Sequence, residues 1–390
     1  MFALSMKHNV DILLTLMLFS SLSFYGLRPV TVFMVLVIFL FIIRANKFKI
    51  YGLLRLAILC FIILVLAVFS LFQNFAFDFS DRPLHLGLMR PILLMGQLSV
   101  ELTFCAAMLS ILNINNPRVE KPYYRIPTLK IQIFDVVLML MIFEYLISSF
   151  LDLTPLTAWQ DVYSGEFRFA GLTPEPGIVA FPVIVRLLIM VGSQVNLFAI
   201  FCGLLSFALS ESSLVFIYLL LIATLIKLTY AKFMLLVPAS ILVAYFVITS
   251  GFVSLLFMKF KMLIFPTIDM GGRYAANLIS INEIINSMFM PHGLSSYDRI
   301  QHSHIVDPSF HHGGSDLLNI ILDFGILVIF LPILMISRFS FSLRQMFYVI
   351  FGIFPLMVKG QGVYSAGFIS LVIICVALLG ARKYEKDFNC

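Results

Sequence analysis

Residues 53–72 read LLRLAILCFIILVLAVFSLF, twenty positions with one charge, Arg55, near the start. At a rise of about 1.5 Å per residue such a run makes a helix of roughly 30 Å, the thickness of a bilayer's hydrocarbon core. The run is uninterrupted, without the period-two alternation of a barrel strand, so a helix is the structure that satisfies its backbone in lipid. Runs of this kind recur through the chain. Hydrophobic residues make up 61% of it and charged residues 12%, with a mean hydropathy of +1.04. A soluble chain carries about a quarter charged residues, so lipid is the implied solvent.

Candidate spans are 10–27, 29–43, 53–72, 91–112, 131–151, 177–192, 195–209, 213–228, 233–250, 316–337, 345–359 and 363–380. The expected fold is an all-α polytopic membrane protein of about twelve transmembrane helices, one integral membrane domain over 1–390. Its first run, Val10 to Tyr25, follows Lys7 but lacks a small-x-small cleavage site, and reads as a retained helix. The 177–209 stretch is long for one span, and the polar break Gly192-Ser193-Gln194-Val195-Asn196 divides it in two. Basic residues lie in clusters between runs, at 44–55, 118–130, 227–232, 338–344 and 382–386. Twelve spans put every cluster and both termini on the cytoplasmic side. The loops near 73–90, 152–176 and 251–315 then face outward, the last two being the larger periplasmic ones. The net charge of +6 belongs to these topology signals and does not indicate nucleic acid. Cys60, Cys105, Cys202, Cys375 and Cys390 show no paired spacing and read as small core residues without disulfides.

Chemistry concentrates in the two outer loops. The first ends Glu166-Phe167-Arg168-Phe169-Ala170-Gly171-Leu172-Thr173-Pro174-Glu175-Pro176-Gly177. Pro176 suits the first turn of a helix, and Glu175 suits its positive end. Capping accounts for those two residues but not for Arg168 and Gly171. Ten residues into that helix, Arg186 stands among apolar neighbours, where a charge costs at least about 2.5–3.5 kcal/mol. It either faces a polar cavity with a partner or snorkels to a nearby surface. Glu175, three turns above on the same face, is too far away to touch it.

The second loop contains Gly271-Gly272-Arg273, then Tyr274, Leu278, Ile281, Ile285 and Met288 at helical spacing. Asn277, Ser280, Asn282, Glu283 and Asn286 fill most of the rest. This predicts an amphipathic helix lying on the membrane. Free N–H groups at its Gly-Gly start, beside Arg273, suit a phosphate. Five of the seven histidines, His292, His302, His304, His311 and His312, crowd into the end of this loop. They can exchange protons near neutral pH. A metal site is the competing reading, but neither a cysteine pair nor a His-Glu-x-x-His helix accompanies them, and none is expected. Surface histidines without a role are the third reading.

Taken together, these features resemble the Wzy-type O-antigen polymerases, within the superfamily that includes the O-antigen ligases. Arg168-Phe169-Ala170-Gly171-Leu172-Thr173-Pro174-Glu175-Pro176 resembles the family's Arg-x-x-Gly-x-x-x-Glu-Pro signature. Arg273, followed by Pro291-His292-Gly293-Leu294, resembles the arginine of its large periplasmic loop. Residues 313–326, GGSDLLNIILDFGI, resemble the entry into its late span. In the ligases a histidine-asparagine pair precedes the late-span glycine. Here that register holds Gly314-Ser315, with His311 and His312 slightly upstream, which favours polymerase over ligase.

The resemblance implies a GT-C-like fold in the bacterial inner membrane and a metal-independent glycosyltransferase that needs no cofactor. The implied partners are an undecaprenyl-diphosphate-linked oligosaccharide, membrane lipids and a chain-length regulator protein, with no nucleic acid. Arg168, Gly171, Arg186, Arg273 and His304 are the implied substrate contacts. Glu175, His311 and His312 are the candidate bases. A ligase acting on lipid A–core and a lipid-linked oligosaccharide flippase are the alternatives.

Overall fold

The computed structural model describes residues 6–22, 28–44, 53–75, 84–111, 132–160, 167–173, 176–190, 196–210, 271–296, 316–327 and 367–386, with single positions within 214–222 and at 300, 348 and 352. Among the described residues, seven helices precede the second loop: α1 (Met6–Met17), α2 (Pro29–Arg44), α3 (Leu53–Phe75), α4 (Leu84–Ile111), α5 (Ile133–Phe150), α6 (Pro176–Ile189) and α7 (Leu197–Leu209). Between α5 and α6 lie two short strands, β1 (Ala158–Gln160) and β2 (Phe167–Phe169). Then come α8 (Gly271–Asn286), α9 (Asp316–Phe324) and α10 (Phe368–Lys386).

Segments within α3, α4 and α5 (Leu56–Gln73, Met89–Ser110 and Ile133–Phe150) are long and apolar enough to cross a membrane. Shorter apolar helices occupy Pro29–Ile43, Ile178–Ile189, Leu197–Leu209 and Phe368–Ala377. Outward faces carry large apolar side chains such as Phe39, Phe61, Phe72, Leu140, Phe143 and Phe150. In water such a surface would be a liability, whereas lipid covers it at no cost. The main interior cluster draws on α1 to α7, α9 and α10, with Leu13, Phe104, Phe134, Phe181 and Phe207 fully enclosed, and a small second cluster joins Ile284 of α8 to Ile300 and Leu322.

Helix directions follow from a few contacts. Gly367 lies against Val30 at the start of α2 and Met17 at the end of α1, so these helices are antiparallel. Asn9 Nδ2 donates to Met108 Sδ (3.6 Å), bringing the start of α1 to the end of α4. α3 packs along α4 and the short segment 76–83 joins them, which requires antiparallel packing. Asp11 of α1 receives N–H bonds from Ile133 and Phe134 at the start of α5, so α1 and α5 run parallel. The ends of α1, α3 and α5 and the starts of α2 and α4 therefore share one end of the bundle. The strand hairpin sits there too. Leu172 N donates to Leu18 O and Ser21 N to Leu172 O, while the Tyr145 hydroxyl donates to Phe167 O (2.8 Å). We refer to this as the hairpin end.

Several expected boundaries change. The first span, expected over 10–27, is helical only to Met17, because residues 18–21 turn and exchange main-chain bonds with Leu172. The first loop holds an antiparallel pairing of Ala158 with Phe169 and Gln160 with Phe167. The late span expected over 316–337 is broken after Phe324, where Gly325 adopts φ +56°. Gly325 N donates to Ile321 O and Ile326 N to Phe289 O, so the backbone leaves the helix through a left-handed glycine. The last helix begins at Phe368, not near 363. The split of 177–209 is observed: α6 and α7 pack against each other, and the Asn196 side chain accepts from Phe198 N and Ala199 N to cap α7. The amphipathic helix expected after Gly271 is α8. Nearly all of the spans expected at 213–228, 233–250 and 345–359 lies outside the described residues.

Gly325 and Gly96 make opposite predictions. An alanine Cβ at Gly325 would collide with Phe289 O and Pro291 N in a left-handed backbone. Gly325→Ala is expected to destabilise by about 1–3 kcal/mol. At Gly96, inside α4, a Cβ meets nothing within 4 Å, and Gly96→Ala should stabilise by about 0.5–1 kcal/mol. Thermal unfolding of the two variants in detergent measures both.

Candidate functional site

The hairpin end gathers two irregular segments, each fixed to the helices by a carboxylate. Glu144, near the end of α5, accepts from Leu156 N (2.7 Å), Thr157 N (3.1 Å), Thr157 Oγ1 (2.5 Å) and Ser148 Oγ (3.2 Å). That anchors the chain entering β1. Ala170 N then donates back to Thr157 O (2.8 Å), closing the far side of the hairpin.

Arg168 sits in β2, half-buried and in register with Trp159. Phe169 and Ala170 beside it are fully enclosed. Gly171 has φ +61°, a left-handed conformation natural to glycine. A Cβ there would make ordinary contacts with Val179, Met141 and Leu18 O, so conformation and not space selects the glycine. Its turn sends Leu172 onto α1 and leads to α6, so the Arg-x-x-Gly spacing has a direct structural purpose.

The second segment follows α8. Residues 288–296 bend sharply, with Met288, Phe289, Gly293 and Ser295 all at positive φ. Asp323 at the end of α9, fully buried, accepts from Ser295 N (2.9 Å), Ser296 N (2.9 Å) and Ser296 Oγ (2.8 Å). His292 N and Gly293 N donate to Leu322 O and Asp323 O. Leu294 is tied to α3 in both directions: its N–H donates to Leu66 O (3.4 Å), and Ser70 Oγ donates to its carbonyl (2.6 Å). Gly293 passes so close to α3 that a Cβ would stand 2.9 Å from Leu66 O. His292 Nε2 lies 3.8 Å from Glu283 Oε1 of α8. Because Leu66 and Ser70 belong to the later half of α3, this turn is at the hairpin end as well.

Arg186 is placed elsewhere. Its guanidinium meets Asp135 of α5 in a two-pronged contact, Nε to Oδ1 at 3.0 Å and Nη2 to Oδ2 at 2.7 Å. The side chains are 2% and 1% exposed, so this is a buried ion pair. Asp135 also accepts from Gln132 N (3.3 Å), and Asp11 caps the same helix start from α1. Along α5, Asp135 is nine residues from Glu144, about 14 Å. The structure thus brings Arg168 and Gly171 to the hairpin end and leaves Arg186 deep in the bundle with a carboxylate of its own. Arg273 falls in the first turn of α8, where only the backbone is described. Glu175, His304, His311 and His312 lie outside the described residues.

No family model, curated protein or solved structure matches the chain.

Asp11, Glu101, Asp135, Glu144 and Asp323 were not singled out as site residues from the sequence, yet each stood as an acidic residue within or beside an apolar run. That isolation is itself the signal, because a lone carboxylate in lipid must have partners. Breaking the Asp135–Arg186 pair on one side leaves a buried, unpaired charge. Asp135→Leu is expected to cost about 3–5 kcal/mol. Adding Arg186→Met should recover most of the loss, read as detergent-resistant folded protein across the double-mutant cycle.

Proposed function

We propose that the chain is a polysaccharide polymerase of the bacterial inner membrane, acting on its outer face. It transfers a glycan from undecaprenyl diphosphate to the terminal sugar of a second lipid-linked repeat unit. The observation that carries this reading is the placement, at the same end of the bundle, of the Arg168–Gly171 hairpin and the turn that follows α8. Twelve spans with cytoplasmic termini, as the basic clusters imply, put that end on the periplasmic side.

In the reaction the acceptor hydroxyl attacks the anomeric carbon. The bond from that carbon to the diphosphate oxygen breaks, and the electron pair leaves with the lipid diphosphate. The hydroxyl proton passes to a base, for which Glu175 or the His311-His312 pair is the candidate. Charge grows on the departing phosphate. Arg168 and Arg273, one from each loop, stabilise it at a low-dielectric boundary, where guanidinium groups act strongly. Gly171 sets the turn that presents Arg168, and His304 is a further candidate contact to the substrate. Arg186, ion-paired with Asp135, serves the scaffold beneath. The leaving group supplies the driving force, so the chemistry calls for no metal or nucleotide.

Arg168→Ala and Arg273→Ala should each lower polymer formation by about 10²–10³-fold at unchanged protein level. Lysine at either position should rescue poorly, lacking the bidentate fork. Long chains from both alanine variants would end the assignment. A deletion strain separates the rival activities on a lipopolysaccharide gel. Loss of a polymerase leaves core carrying a single repeat, whereas loss of a ligase or a flippase leaves bare core.

A further inference from the structure

α8 has three faces. Ser280 and Ile284 are buried, and Ile284 packs with Leu322 and Ile300 against α9. The opposite side is open and divides lengthwise. Leu278, Ile281 and Ile285 form an exposed apolar stripe, and at about 100° per residue they span an arc of roughly 60°. Asn282 and Asn286 form an exposed polar stripe directly beside it. A helix at a water–lipid boundary requires this side-by-side arrangement.

The depth of the following chain points the same way. Beyond Met288, which is 84% exposed, Phe289 and Met290 are also open. Leu294 then bonds to Leu66 and Ser70, which lie inside the apolar window Leu56–Gln73 of α3. Counting back from Gln73, those anchors are about 5 and 10 Å below the window's end. The turn therefore dips to membrane depth, where irregular backbone is tolerated only with its polar groups satisfied. Asp323 supplies that satisfaction.

We propose that α8 lies in the interfacial layer of the bilayer at the hairpin end, its Leu278–Ile281–Ile285 stripe among phospholipid acyl chains and its Asn282–Asn286 stripe in water. The helix acts as a float. It holds the Gly271-Gly272-Arg273 turn at the height of lipid phosphates, while the 291–296 turn moors it to α3.

Neighbouring positions test this in opposite senses. In native membranes Ile285→Cys should react with a water-soluble maleimide about tenfold more slowly than Asn286→Cys, after subtraction of wild-type labelling. In proteoliposomes, phosphatidylcholine brominated near the headgroup end of its chains should quench Ile285→Trp about twofold more than Asn286→Trp, against the Trp159 baseline. Equal labelling of the two cysteines overturns the proposal. So does protection of Ile285→Cys without bromine quenching of Ile285→Trp, since a protein surface would then cover the stripe. Neither readout involves glycan, so both stand or fall apart from the polymerase reading.

Discussion

Carboxylates bonded to main-chain N–H groups hold this bundle together at the starts of two helices and at both irregular segments of the hairpin end. Asp11 takes the first N–H groups of α5, and Glu101 takes Ser370 N at the start of α10 (3.1 Å). Glu144 takes those of Leu156 and Thr157, and Asp323 those of Ser295 and Ser296. In an apolar interior no water stands ready to bond an open N–H, and leaving one unsatisfied costs about 1–3 kcal/mol. A carboxylate can satisfy two or three at once, and the donors in turn make its own burial bearable.

This arrangement explains why the two irregular segments share one end. The hairpin cannot leave α5 without freeing Glu144 and uncovering Thr157, and the 291–296 turn cannot leave α9 without stranding Asp323. Each segment is also laced to a helix by backbone bonds, Leu172 to α1 and Leu294 to α3. At the opposite end the Asp135–Arg186 pair joins α5 to α6 beside the Asp11 cap. The helices are thus held at both ends by ionic or charge-assisted contacts, and between them by apolar packing that lacks direction.

The legible part of the sequence was what local chemistry dictates. Long apolar runs gave the helices, the polar break Gly192-Ser193-Gln194-Val195-Asn196 marked the division between α6 and α7, and the period after Gly271-Gly272 gave α8 with its exposed stripe. Features set by distant residues were not legible. α1 stops at Met17 because Leu172, far along the chain, bonds its exit. The late helix breaks at Gly325 because Phe289 and Pro291 press against that glycine. Arg186 advertised a need for a partner, but only the fold could choose Asp135 over a substrate. Arg168 and Gly171 lay between these cases: the motif marked them, and the left-handed turn at Gly171 gives the physical reason for its spacing.

The cap on α10 bears on how the protein is made. Glu101 is synthesised in α4, long before Ser370, and it is fully enclosed in the finished bundle. Until the last helix emerges from the ribosome, this carboxylate has Gln97 (3.0 Å) but lacks the backbone donors of α10. A chain that stops short of α10 therefore leaves this buried carboxylate without the donors that satisfy it in the finished bundle.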